Sequence, residues 1–208
     1  QAAMLGTSGS GKTTLLNLIA GLVAPDAGRI LMKSRTGQTT DLAGLTEAER
    51  DEFRGRHLGF VFQKHHLLGG FTALENVQLG MTFTGRRPDR AWAEHLLRQV
   101  GLSDRPHYRP AQLSLGQQQR VAGAPAMANR PALVLADEPT GSLDARTAQQ
   151  VLHLIRSLCT EVKAALLLVT HDLGIAGQLE RVIALSDINR CAPHPETSES
   201  PVPAAVSA

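Results

Sequence analysis

Long apolar runs are missing from this 208-residue chain, and with them the roughly 18 to 20 consecutive apolar residues that a bilayer-crossing helix needs. The longest candidate, Ala164 to Val169, has the length of a buried strand, so any membrane role is expected to need a separate partner. Cysteine is scarce. Cys159 and Cys191 stand far apart without CxxC spacing, which excludes a disulfide framework or a cysteine zinc site and fits a reducing, cytosolic compartment. An excess of charge of one sign is missing too. With 21 Lys and Arg against 19 Asp and Glu, the net charge of +2 gives no argument for a nucleic-acid surface. No heptad run occurs, which excludes a long coiled coil, and there is no internal repeat. Gln1-Ala2-Ala3-Met4-Leu5 has neither the charged flank nor the cleavage pattern of a signal peptide.

What is present is ordinary globular usage, 42% apolar and 19% charged, in a length that favours one domain. Short Leu- and Val-rich runs predict strands at Arg29 to Met32, His57 to Phe62, Ala132 to Ala136, Ala165 to Thr170 and Arg181 to Leu185. Helical spacing alternates with them at Lys12 to Leu22, Arg90 to Val100 and Ala145 to Leu158. This is the pattern of an α/β fold with a mostly parallel sheet. Residues 1–190 read as a single domain whose core comprises 1–70 and 130–190, with a helical insert at about 71–129. The tail, 191–208, is rich in Pro, Ser, Ala and Glu and is expected to be disordered.

Gly6-Thr7-Ser8-Gly9-Ser10-Gly11-Lys12-Thr13 satisfies G-x-x-x-x-G-K-[ST] between a short apolar segment and a helix. Glycines at 6, 9 and 11 let successive backbone N–H groups and the positive helix end face phosphates. Lys12 adds a point charge, Thr13 a hydroxyl for Mg²⁺, and Ser8 and Thr14 further donors. Further on, Leu133-Val134-Leu135-Ala136-Asp137-Glu138 is an apolar strand ending in two acids. Asp137 is placed to hold the Mg²⁺ shell through water. Glu138, on the opposite side by strand alternation, is placed to orient and deprotonate an attacking water. Together the two motifs predict ATP or GTP hydrolysis.

Leu113-Ser114-Leu115-Gly116-Gln117-Gln118-Gln119-Arg120 resembles the signature of ABC ATPases. Gln63 after Phe60-Val61-Phe62 looks like that family's Q-loop, Ser142-Leu143-Asp144 its D-loop, and Thr170-His171-Asp172 its switch histidine. Leu58 to Gln63, Thr72 to Val77 and Ala136 to Gly141 look most like the lipoprotein-release and macrolide-export branch. The resemblance implies a P-loop NTPase with a RecA-like core and an inserted ABC helical subdomain. It implies an ATP- and Mg²⁺-dependent ATPase that works as a head-to-tail homodimer on a transmembrane permease, peripheral at the inner face of the plasma membrane. Glu138, His171 and Gln63 would then be catalytic, with Gln63 also sensing Mg²⁺. Ser114, Gly116 and Gln117 would meet the nucleotide of the other subunit, and Asp144 would border it.

Several positions depart from the family pattern. Family members carry two strands before the phosphate loop and an adenine-stacking aromatic, so here the N-terminal strands look missing and the chain looks incomplete. Its only Trp and Tyr, Trp92 and Tyr108, fall in the helical insert. Leu115 stands where the signature has Gly, Gly123 and Pro125 interrupt an expected helix, and Asp187-Ile188-Asn189 replaces an Asp-Gly turn. These changes lead us to expect slow or absent hydrolysis, although Lys12, Asp137, Glu138 and His171 are intact. The competing readings are a nucleotide-binding regulatory or structural subunit without useful turnover and, less supported, a DNA-repair or chromosome-organising ATPase. His57, His65 and His66 lack partners at ligand spacing and read as exposed or packed, so no metal other than Mg²⁺ is expected.

Overall fold

The computed structural model describes residues 1–63, 66–82, 84 and 87–190. The tail from Cys191, together with His65 and Gly85-Arg86, lies outside the described residues. In chain order the strands are β1 (Ala2–Leu5), β2 (Leu31–Lys33), β3 (Thr39–Asp41), β4 (Leu58–Val61), β5 (Leu133–Asp137), β6 (Ala165–Thr170) and β7 (Arg181–Ala184). The helices of a turn or more are α1 (Lys12–Ile19), α2 (Glu47–His57), α3 (Ala73–Thr82), α4 (Arg90–Gln99), α5 (Leu115–Met127), α6 (Ala145–Glu161), α7 (Leu173–Ala176) and α8 (Leu185–Ile188). Five strands form a parallel sheet in the order β4-β5-β6-β1-β7. The β2 segment, expected in that sheet, pairs antiparallel with β3 in a separate two-stranded ribbon. Neither β3 nor α2 was legible as an element. The β3 run Thr39–Asp41 is only three residues long, and α2 has no buried residue to set a periodicity.

Why the sheet is buried on both faces follows from the side-chain period of two. Val134 and Ala136 of β5, Leu166 and Leu168 of β6 and Ala3 of β1 share one apolar cluster with α3 to α6. Leu133, Leu135, Leu167, Val169 and Met4 point the other way, into a second cluster with Leu16 and Ala20 beside α1. Each fully buried Leu or Val contributes about 1.5–3 kcal/mol relative to exposure. The α6 stripe Val151, Ile155 and Leu158 is buried against the first cluster, as its spacing predicts. Cys159 sits in the same layer, and burial pushes its thiol up to about 12, so it stays protonated and inert.

The run with Gly123 and Pro125 stays helical throughout α5. An interior proline costs about 3 kcal/mol, and packing around this turn offsets it. Gly59 on β4 has no Cβ, and one there would overlap the Ala126 carbonyl oxygen. Gly80 on α3 admits the Pro125 carbonyl in the same way, since a Cβ would stand 3.1 Å from it. Two neighbouring elements therefore grip the last turn of α5 at backbone distance. Just beyond it, Asn129 Nδ2 donates to the carbonyls of Gly55 (2.8 Å) and Gly80 (2.7 Å). The Asp187-Ile188 departure falls in α8, a single helical turn directly after β7.

Candidate active site

Parallel strands all end on the same edge of a sheet, and ligands of such folds lie beyond that edge. Leu5 pairs with Thr170, Val61 with Ala136 and Asp137 with Val169, so β1, β4, β5 and β6 finish together. The segments that follow them carry the phosphate loop, Gln63, Glu138 and His171. They enclose a cavity of about 610 Å³, lined by Thr7, Ser8, Gly9, Gly11, Lys12, Thr13, Thr14, Gln63, Asp137, Glu138 and His171.

The loop's local geometry follows from its glycines. Gly9 and Gly11 have φ of 77° and 94°, a region that side chains disfavour. Gly6 is needed for space, because a Cβ there would stand 2.6 Å from Ser10 Oγ and 3.2 Å from the Lys12 stem. Gly11 opens α1 without any side-chain cap, leaving first-turn N–H groups to a ligand. Lys12 is 7% exposed, and its ammonium donates to the carbonyls of Gly6 (2.9 Å) and Thr7 (2.7 Å).

The acids come from β5. Leu133, Leu135 and Asp137 share the face that meets α1, and Thr13 on α1 donates its hydroxyl to Asp137 Oδ2 at 2.9 Å. Alternation places Glu138 on the opposite face, but the strand stops at Asp137. Glu138 turns instead into the left-handed region with φ of 47°, so both carboxylates line one cavity. A non-glycine residue held there costs on the order of 1–3 kcal/mol and persists only where its surroundings fix it. Glu138 N–H donates to the Val169 carbonyl (3.0 Å), and its own carbonyl accepts from Gly141 N–H (3.0 Å).

Around the Glu138 carboxylate stand Lys12 and His171. Lys12 Nζ is 3.9 Å from Oε1. The His171 Nδ1 lies 2.9 Å from Oε1 and 2.7 Å from Oε2. Distance favours Oε2, but only the Oε1 contact has hydrogen-bond geometry. Oε2 is buried without a hydrogen-bond partner, so the carboxylate keeps one oxygen unsatisfied beside the cavity. Gly141, which sequence reasoning did not single out as a site residue, sits against this group. A Cβ there would stand 3.1 Å from Gln63 Nε2 and 3.4 Å from Glu138 Oε2. The Asp-Glu-Pro-Thr-Gly spacing was the available signal.

Thr13 and Asp137 supply hard oxygens of the kind Mg²⁺ takes. They are too few to hold it alone, and among the described residues no group of three or more His, Cys, Asp and Glu does so. The donor set therefore fits a cation completed by phosphate and water.

Ser114, Gly116, Gln117 and Asp144 are not among the cavity's lining residues. Ser114 caps α5 and forms a closed box with Gln117: Ser114 Oγ accepts from Gln117 N–H (3.3 Å), and Gln117 Oε1 accepts from Ser114 N–H (2.9 Å). Leu115 is 57% exposed beside them. Asp144 caps α6 by accepting from Thr147 N–H at 3.0 Å, and hydrogen bonds from Thr147 hold its carboxyl below the usual range.

Residues 1–141 match the protein family described as ABC transporter. The chain belongs to the ABC transporter family. Among its curated relatives is the lipoprotein-releasing system ATP-binding protein LolD of Colwellia psychrerythraea, 43% identical over 97% of this chain and 76% of that protein. The LolD of Pseudomonas fluorescens is 47% identical over 90% of this chain and 81% of that one. The dimeric, post-hydrolysis structure of the ATP-binding cassette MJ0796 bound to ADP and Pi superposes with a TM-score of 0.75 at 37% identity. It covers 88% of this chain and 79% of the other. A second dimeric structure of the same bacterial ABC transporter cassette matches at TM-score 0.75 and 38% identity over the same shares. The ABC fold and its parallel sheet are thus those expected from the motif order.

Proposed function

We propose that this chain is the ATP-hydrolysing subunit of an ABC transporter of the lipoprotein-releasing kind, acting from the cytoplasmic face on a membrane-spanning permease. The observation that carries the reading is the convergence of Lys12, Thr13, Asp137, Glu138 and His171 on one cavity at the sheet edge. The relatives named for lipoprotein release support the transported class. Within the described residues no helix is long and apolar enough to cross a membrane, so coupling to a bilayer runs through the permease.

In this reading the first-turn N–H groups of α1 and the Lys12 ammonium bind the β- and γ-phosphates, with Ser8 and Thr14 as added donors. Thr13, Asp137 and Gln63 would hold Mg²⁺, which supplies charge neutralisation of the phosphates when bound. Glu138 takes a proton from water while the water oxygen bonds to the γ-phosphorus. The bond to the bridging oxygen breaks, and ADP leaves with that electron pair. His171, already bonded to Glu138, fixes the carboxylate and reaches the γ-phosphate. Ser114, Gly116 and Gln117 lie outside the cavity and act on the nucleotide of a second copy in a head-to-tail dimer. Residues 71–129 form the helical subdomain that carries them. A binding-only regulatory role is not favoured, because Lys12, Thr13, Asp137, Glu138 and His171 all line the one cavity.

The test compares ATP turnover and dimer formation of the chain with those of Glu138→Gln in the presence of Mg²⁺. Turnover in the parent that disappears in the variant, with an ATP-trapped dimer, is the expected result. Absence of turnover in both, with no trapped dimer, would overturn the hydrolytic reading.

A further inference from the structure

Among the described residues Gln119 is the one large polar side chain that is fully buried, 1% exposed in the second turn of α5. Its Nε2 donates to the Pro139 carbonyl at 2.8 Å, and its Oε1 is buried without a partner. An apolar residue of similar volume would fill this space but would leave the Pro139 carbonyl without this donor, so packing alone does not explain a glutamine. Pro139 is buried too, and it directly follows Glu138 in the left-handed turn that brings the carboxylate into the cavity. The amide is thus a side-chain tether from another element onto the backbone of that turn. It rides on the same helix as Ser114, Gly116 and Gln117, one turn further in.

We propose that Gln119 is a positioning residue: through the Pro139 carbonyl it sets the Glu138 turn, and it links the exposed start of α5 to the carboxylate across the body of the chain. The inference rests on Glu138 acting as the base. When a second copy or nucleotide engages Ser114 and Gln117, any displacement of α5 moves the Pro139 carbonyl with it. Phosphate binding should be indifferent to Gln119, because Lys12 is carried by α1, whose buried apolar residues lie in the other cluster.

The experiment measures kcat, KM for ATP, nucleotide affinity and thermal midpoint for the full chain, Gln119→Leu, Gln119→Glu and Glu138→Gln. For Gln119→Leu we expect kcat to fall about tenfold or more while KM and nucleotide affinity stay within about twofold, the pattern of a group felt only in the transition state. Gln119→Glu keeps the shape, and its buried carboxyl donates only when protonated. Its turnover relative to the parent should rise as pH is lowered. A role in stability alone predicts a lowered thermal midpoint with unchanged kcat at low temperature, and that result would overturn the proposal. Equal kcat in folded Gln119→Glu at all pH values would do so even if Gln119→Leu fails to fold. A parent chain without turnover sinks both this inference and the hydrolytic reading; an active parent that loses turnover in Glu138→Gln but not in the Gln119 variants sinks this inference alone.

Discussion

Two motif-bearing regions of this chain are built on opposite plans. At the sheet edge, side chains from three segments close on one another: Thr13 bonds Asp137, His171 bonds Glu138, and Lys12 bonds its own loop. At the start of α5, the Ser114 and Gln117 side chains cap each other's backbone N–H, and Leu115 stands in solvent. The first region is finished by the fold of a single chain. The second is a capped, exposed helix end that lies outside the cavity. Rigid strands can preorganise the first, whereas an exposed cap acquires a role only when a partner surface arrives.

The comparison can be broken at its strong end first. Lys12→Ala removes the only ammonium that lines the cavity among the described residues, and ATP affinity is expected to fall about a hundredfold or more, read by equilibrium titration with a fluorescent nucleotide. At the other region, Leu115→Gly removes a branched side chain from the exposed helix start. If closure against a second copy is hindered there, turnover should rise several-fold while monomer nucleotide affinity is unchanged. An unaltered rate would show that the exposed leucine is no obstacle. Further along α5, a Cβ at Gly123 would meet nothing within 4 Å, so Gly123→Ala should stabilise the chain by about 1 kcal/mol in a denaturant titration.

The smallest effect concerns Asp144. Its folded-state pKa is depressed by hydrogen bonds from Thr147. The cap therefore contributes in full above the ordinary carboxylate value and is lost as pH falls through the lowered one. The thermal midpoint of Asp144→Ala should lie below that of the parent near neutrality, with the gap closing in acid.

Much of the sheet-edge region could be read from the amino-acid order. A continuous apolar strand ending in Asp, and a glycine loop opening a helix, are local patterns that leave few alternatives. Four of the five parallel strands, β4 to β7, were legible as apolar runs and the fifth as the short segment before the loop. The pairing of β2 with β3 was not, because three-residue strands carry almost no periodicity. The cost assigned to Pro125 was read from propensity, which does not see Gly59 and Gly80 opening space for that turn. Gly141 and Gln119 were quoted only as parts of motifs, since their work depends on neighbours distant in sequence.

By itself the sequence determined that a phosphate loop and a pair of acids would share one sheet edge, because parallel strands connected by helices must all end on the same side. Which way Glu138 faces was decided only in three dimensions. Alternation along β5 assigns it to the far face, and a left-handed turn, fixed by Val169, Gly141 and the Gln119 amide, brings it back beside Asp137. Such a turn is unfavourable locally, so no local pattern announces it. It exists because packed elements on both sides of the sheet hold it there.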